Sequence, residues 1–532
     1  MPGPSAVGER ALTVSIGWVL GNAREHARDP ALRVAATFAQ AITPTVHRSQ
    51  IGRWEAGVTQ LTYEQVRQYE IVLELPEGHL LAAIDTLARA EHRVLAGPWL
   101  PPPRNDPWWS DSMSLIERAD SPERLTGAQW STLTANLGSD PDAMLRQRDW
   151  DMLLRRCTLE AGLRTGLEFI LRDEATARIA GHPRGCAAVV DLVDETLSNP
   201  TAAIYSEAAA LLSHTPDDRG LGVLLRHLPS PVNESALWTI LWALLTLMRQ
   251  GRLSSQQSVD VGVHAVGLLQ DASVSTRVHR AAANLVHAID PPERERVSAG
   301  LRASSRRRIA RIVDQGGALA KDELALMARE IRTRMAMTLG PRAQLAPTLK
   351  QLITEATSVT GEDSRGKALT VLMLTPQGPA IGATYAATLR WARRNGHEEL
   401  VDEALSVLSW LLPPADLPTL LEVAADPVSS PVQVLQALVA VGNCRPASAA
   451  ATSSADTIAT DVRDSALRAM TASVADPDSI ARGHLYVLGM YGRADLVATL
   501  VKPARRRAVP PAWTQSIEAW TVLPPWAWPS AD

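Results

Sequence analysis

Breaks at short, near-even intervals constrain this 532-residue chain more than any other feature. They fall at Asn199-Pro200, Thr215-Pro216, Pro229-Ser230-Pro231, Gly251, Asp271 and Asp290-Pro291-Pro292. Between 378 and 500 the rhythm returns, broken at Pro413-Pro414, Asp426-Pro427, residues 443–455 and Asp476-Pro477. Each interval holds one apolar-periodic segment of roughly 12 to 18 residues, a normal globular helix length. Examples are 202–212, 236–248, 258–269 and 277–289. Period-2 runs joined by hairpin turns are scarce, so strands are not expected. The spacing predicts an all-α chain in which paired antiparallel helices stack along residues 111–502, with a period of about 40 residues.

The first 95 residues read differently. Ile16, Val19, Leu20 and Ala23 share one helical face in 16–28, and Val34, Ala35, Phe38, Ala39 and Ile42 share another in 31–42. A polar break, Thr43-Pro44-Thr45, precedes Arg48-Ser49-Gln50-Ile51-Gly52-Arg53-Trp54-Glu55-Ala56-Gly57. That stretch predicts a short amphipathic helix ended by a glycine. Ile51 and Trp54, three apart, can be buried together, while Arg48, Ser49, Gln50 and Arg53 lie off that face. Those are side-chain types that read base edges in a DNA major groove. Thr62-Tyr63-Glu64-Gln65 is a capping box that opens a further helix with Val66, Tyr69, Val72 and Leu73 inward. Leu75-Pro76-Glu77 is expected to start a fifth, with Leu80, Leu81, Ile84 and Leu87 facing in.

Residues 16–90, and above all 46–57, resemble the DNA-binding domain of Xre/Cro-type (lambda-repressor-like) transcription regulators. The match is Val46, a polar cap at His47, three polar residues, Ile51, then Arg53, an apolar residue, Glu55, any residue and Gly57. The resemblance implies a five-helix helix-turn-helix domain in which His47, Arg48, Ser49, Gln50 and Arg53 contact double-stranded DNA. Glu55 and Gly57 match its structural positions. Two departures stand out: the turn 43–46 is about two residues longer than usual, and Thr37 stands near the family's frequent phosphate-binding Gln. By period alone, and not by motif, residues 111–502 are similar to HEAT or armadillo repeats; the alternative reading is an irregular helical bundle.

The expected organisation is therefore a helix-turn-helix domain at 1–95, a Pro-rich linker at 96–110 acting as a stiff spacer, a helical-repeat domain at 111–502, and a Pro/Trp-rich tail at 503–532. The tail reads either as a cap packed on the last repeat or as an exposed docking strip. Two basic clusters, Arg302 to Arg311 and Lys502 to Arg507, read first as solvated helix faces and second as extra contacts to DNA or an acidic partner.

Composition narrows function further. A net charge of −4 excludes a basic nucleic-acid sponge and an acidic tail protein alike. Lys occurs only at 321, 350, 367 and 502, so Arg carries nearly all positive charge, a bias of GC-rich bacterial coding. Fifteen Trp against two Phe make Trp the main aromatic of the core. Cys157, Cys186 and Cys444 form no pair motif and read as buried thiols. The longest apolar run, 237–248, is too short to span a bilayer, and no leader opens the chain, so a cytoplasmic protein is expected. Gly361 to Ala368 approaches a phosphate-binding loop but ends in Ala where a metal-binding hydroxyl is needed. No helical zinc spacing or nucleophile elbow occurs. Neither a cofactor nor an enzyme is expected. The leading expectation is a transcription regulator whose repeats sense a signal or drive assembly. Because the head lacks a strong basic field, a homo-oligomer on paired half-sites is expected. The alternative is a protein-interaction scaffold with a vestigial or protein-binding head.

Overall fold

The computed structural model describes residues 6–92, 96–103, 108–202, 205–271, 273–299, 313, 321–339, 346–357, 362–444, 452–472, 476–506 and 509–529. Among these residues every regular element is a helix. The cluster from Arg302 to Arg311 and Arg507 lie outside the described residues.

Five helices build the head: α1 (Ala6–Glu25), α2 (Ala35–Ala41), α3 (Arg48–Glu55), α4 (Tyr63–Val72) and α5 (His79–His92). Leu12, Ile16, Val19 and Leu20 bury one side of α1, which begins earlier than the apolar pattern suggested. The segment expected as one helix over 31–42 is two pieces. Asp29 accepts the amide of Ala31 and opens a 3-10 turn, Pro30–Arg33, with Pro30 at its start. Val34 then turns extended and lies exposed, so it leaves the core position predicted for it. Phe38, Ala39 and Ile42 are buried as expected. The capping box at Thr62 forms in both directions with Gln65.

The fifth helix starts at His79, later than Leu75-Pro76-Glu77 implied. Glu74 takes a left-handed φ of 54° and Gly78 one of 81°, which ends the preceding turn first. The buried Glu70 carboxylate then caps α5, accepting the amides of Gly78 (3.1 Å), Leu80 (2.7 Å) and Leu81 (3.3 Å). A carboxylate at a helix N-terminus meets both the free amides and the positive end of the helix dipole.

Beyond residue 108 the described helices mostly pack on their next or next-but-one neighbour, although Lys321–Leu339 packs most on Gly378–Asn395. Gly127–Gly138 and Gln147–Gly162 both lie on Gly166–Gly181, and Pro431–Asn443 lies on Pro477–Met490. Trp130, Trp150 and Trp513 are fully buried, so Trp does supply the large aromatic core.

The two ends of the body meet. Arg124 donates to the carbonyls of Trp526 and Trp528, both at 2.9 Å, and the Arg156 guanidinium stacks over the Trp526 ring at 4.5 Å. The Pro/Trp-rich tail is thus packed rather than exposed. Its helix, Pro511–Thr521, buries Trp513 and Trp520 against the last helices, and residues 524–528 close onto the start of the body.

The head docks into this body. One continuous core joins α1, α3, α4 and α5 to the second half of the chain and to Leu163, Ile170 and Leu171. Asn22 and Gln377 exchange two amide hydrogen bonds (2.9 and 2.7 Å), and His79 Nε2 donates to the Leu374 carbonyl at 2.8 Å. Arg89 pairs with Glu174 and Arg178 with Asp85, all four buried. The segment 96–103, expected to act as a spacer, instead packs down: Leu100 is buried and the Trp99 amide donates to Asp85.

Candidate nucleic-acid interface

Helix α3 is held from behind and open in front. Ile51 and Trp54 are buried, and Trp54 meets Tyr69 edge-on at 6.3 Å while Phe38 packs on the same ring at 4.6 Å. Gly17 lets α1 cross the end of α3 closely: a Cβ there would fall 2.5 Å from the Glu55 carbonyl oxygen. Gly57 takes the left-handed φ of 66° that turns the chain away after α3, and it too abuts α1.

Glu55 is the only acid of α3, and it points inward. Arg24 grips it bidentately, Nε to Oε1 and Nη2 to Oε2, both at 2.7 Å. The pair holds the Arg24 proton more tightly than usual through its bond to Glu55. Tyr69 donates to the same carboxylate at 3.3 Å, and burial pushes its hydroxyl well up. Fork-to-fork geometry of this kind fixes orientation as well as adding energy. Arg24 is one of five arginines between residues 21 and 53; it is buried and neutralised, which leaves Arg28, Arg33, Arg48 and Arg53 exposed.

The front of α3 carries the five residues singled out by sequence. Arg48, Ser49 and Arg53 are exposed and Gln50 is half-buried. The side chains of Arg48, Gln50 and Arg53 make no hydrogen bond or ion pair with the described residues. His47 is the N-cap: its Nδ1 accepts the Ser49 amide at 3.3 Å and the Ser49 hydroxyl at 2.7 Å. His47 and Ser49 therefore fix the start of the helix and each other; the cap at His47 is where the sequence put a polar cap, while its bond to the Ser49 hydroxyl was not read there. The turn before α3 spans 42–47, with a cis peptide at Thr43-Pro44, and the Val46 amide returns to the Ala39 carbonyl at 3.3 Å. Thr37 is exposed on α2.

Other candidate chemistry dissolves. Residues 362–373 form a helix where a phosphate loop would need a strand and turn, and Lys367 pairs with Glu355 at 3.1 Å. All three cysteines are free and buried. Among the described residues no group of His, Cys, Asp and Glu could hold a metal, and no helix is long and apolar enough to cross a membrane. Compared with known proteins, no family model, curated sequence or solved structure matches this chain.

Proposed function

We propose that this chain is a sequence-specific DNA-binding transcription regulator of the Xre/Cro type. On this reading α2 and α3 are a helix-turn-helix pair and the body is a HEAT/armadillo-like array that senses or assembles. One observation carries it: the single acid of α3 is turned inward onto Arg24, while Arg48, Gln50 and Arg53 stand outward and uncommitted. A helix with a nailed-down back and a cationic, amide-bearing front fits the major groove. Arg48 and Arg53 suit guanine and Gln50 suits adenine. His47 and Ser49 place the first turn of α3, where recognition helices meet base edges.

One head offers few cations, and phosphate contacts supply most non-specific affinity. Two copies on one duplex gain from effective concentration. The active species is therefore a dimer on half-sites about 34–36 Å apart or a multiple of it. Light scattering on the full chain reads this directly, and a monomer at micromolar concentration in the presence of its site would refute it. The test of the function itself is genome-wide DNA capture with the tagged full-length protein. Enrichment of one shared motif is expected, and unselective recovery would refute the reading.

The scaffold reading has one observation in its favour, the shared core of head and body. On that reading the head serves the body's architecture and full-length protein shows no salt-dependent DNA binding.

A further inference from the structure

A cavity of about 630 Å³ lies where the two halves of the body face one another, within the size range of small-molecule sites. Its wall draws on residues from 161 to 520. Phe169, Trp238, Trp410 and Trp520 make it aromatic. Its only charged lining residues among those described are three arginines, Arg164, Arg277 and Arg482. No carboxylate among the described residues lines it.

The arginines differ in their commitments. Arg482 Nε is held by both oxygens of Asp478 at 3.1 Å. Arg164 donates to the Leu163 and Ala527 carbonyls, which leaves its charge unpaired. The Arg277 guanidinium carbon sits over the Trp238 ring, 3.6 Å from its centroid, and Arg277 forms no ion pair with a carboxylate among the described residues. The acids nearest to it are occupied elsewhere. Asp478 binds Arg482 and Ser235, Asp476 caps the helix at Ser479, and Glu234 accepts the Ser275 amide at 2.7 Å. Burial lowers both Arg164 and Arg277 to about 10, so both remain charged at neutral pH in a poorly solvated place. A second orphan shares the wall: the hydroxyl of Ser516, a residue 6% exposed, has no hydrogen-bond partner among the described residues.

We propose that this cavity binds a small organic anion with an aromatic or apolar body, its charged group held by the Arg277 guanidinium. A planar guanidinium stacked on an indole presents its donors edge-on, the arrangement that takes a carboxylate, sulfonate or phosphate in two parallel bonds. Desolvating a cation without a partner is costly, and an anion brought by the ligand removes that cost. Phe169, Trp410, Tyr486 and Trp520 are left to cover the rest of the ligand. Met373 lines the cavity, and the next carbonyl, Leu374, is the acceptor of His79 in the head.

The test uses the full chain and the fluorescent aromatic anion anilinonaphthalene sulfonate, with phenylnaphthylamine as its uncharged counterpart. Saturable binding of one anion per chain is expected, with Arg277→Gln weakening it about tenfold or more and leaving the uncharged probe within about twofold. Val439→Trp, which fills the cavity, should weaken both probes. On wild type, benzoate should displace the bound anion and benzamide should not, a comparison that stands even where a variant misfolds. Non-saturable binding, an Arg277→Gln variant of wild-type affinity, or equal displacement by benzoate and benzamide would each overturn the proposal.

Discussion

The front of α3 and the central cavity are both set with arginines and, among the described residues, free of carboxylates, yet they are opposite devices. At α3 the charge stands in water on a convex helix, and Glu55, which could have cancelled it, is turned inward to Arg24. In the cavity the charge is half-buried in a concave wall, set over Trp238 and lowered by burial. Exposed cations attract an extended polyanion cooperatively and are weakened by salt. An enclosed cation instead selects one small anion by shape and hydrogen bonding, with little screening. On the two readings proposed above, the same side chain serves two ligand classes, and its surroundings decide which.

Trp54→Ala should break the contrast most severely. It empties the back of α3 and should cost about 3–5 kcal/mol. Hydrogen exchange across α1 to α4 of the full chain should rise and DNA binding should vanish, while the anionic probe still binds. Unchanged exchange would put Trp54 at the surface.

Acid should act in the reverse direction, loosening the cavity before α3. His484 is buried near Trp513 at 5.8 Å, and burial lowers it to about 4. The folded state therefore favours its neutral form. Its contribution is complete above the unfolded value near 6.5 and is lost as pH falls towards 4, by up to about 3 kcal/mol. His214, lowered by burial to about 3, adds in the same direction. Melting temperature followed from pH 7 to pH 4 should fall, and His484→Gln should flatten the decline; an equally steep fall would remove His484 from the cause.

Arg48→Ala and Arg53→Ala should each cost about 1–3 kcal/mol in affinity for the selected DNA site. Probe binding in the cavity should not change. The smallest effect links the two regions. Gln377→Ala removes the amide pair with Asn22 and should loosen the head by about 1 kcal/mol. Faster exchange in α1 with an unaltered probe constant is the expected reading, and unaltered α1 exchange would show that the pair contributes nothing to docking.

The all-helical class was legible because apolar period and turn residues are local signals. So was α3, where Ile51, Trp54 and Gly57 encode their own roles within ten residues. Its inward acid was marked only as structural, because Arg24 lies 31 residues away and no spacing rule links them. The break at Val34 escaped because Asp29 and Pro30 form a 3-10 turn that interrupts an otherwise helical apolar pattern. Docking of the head was hidden for another reason. Asn22, His79 and Arg89 look solvated in sequence, and their partners Gln377, Leu374 and Glu174 lie 355, 295 and 85 residues away. The cavity was least legible of all. In sequence Arg277 only opened one of the expected helices, and the residues that share its cavity wall are spread from 161 to 520.

The central claim is that the outward face of α3 reads DNA sequence. Its most direct test is selection from a random duplex pool by the full-length protein, repeated at low and at physiological salt. The account predicts one enriched motif, recovered at both salts, with guanine or adenine at the positions facing Arg48, Gln50 and Arg53, and affinity falling as salt rises. A pool that stays random after repeated rounds, or binding indifferent to salt, would contradict it.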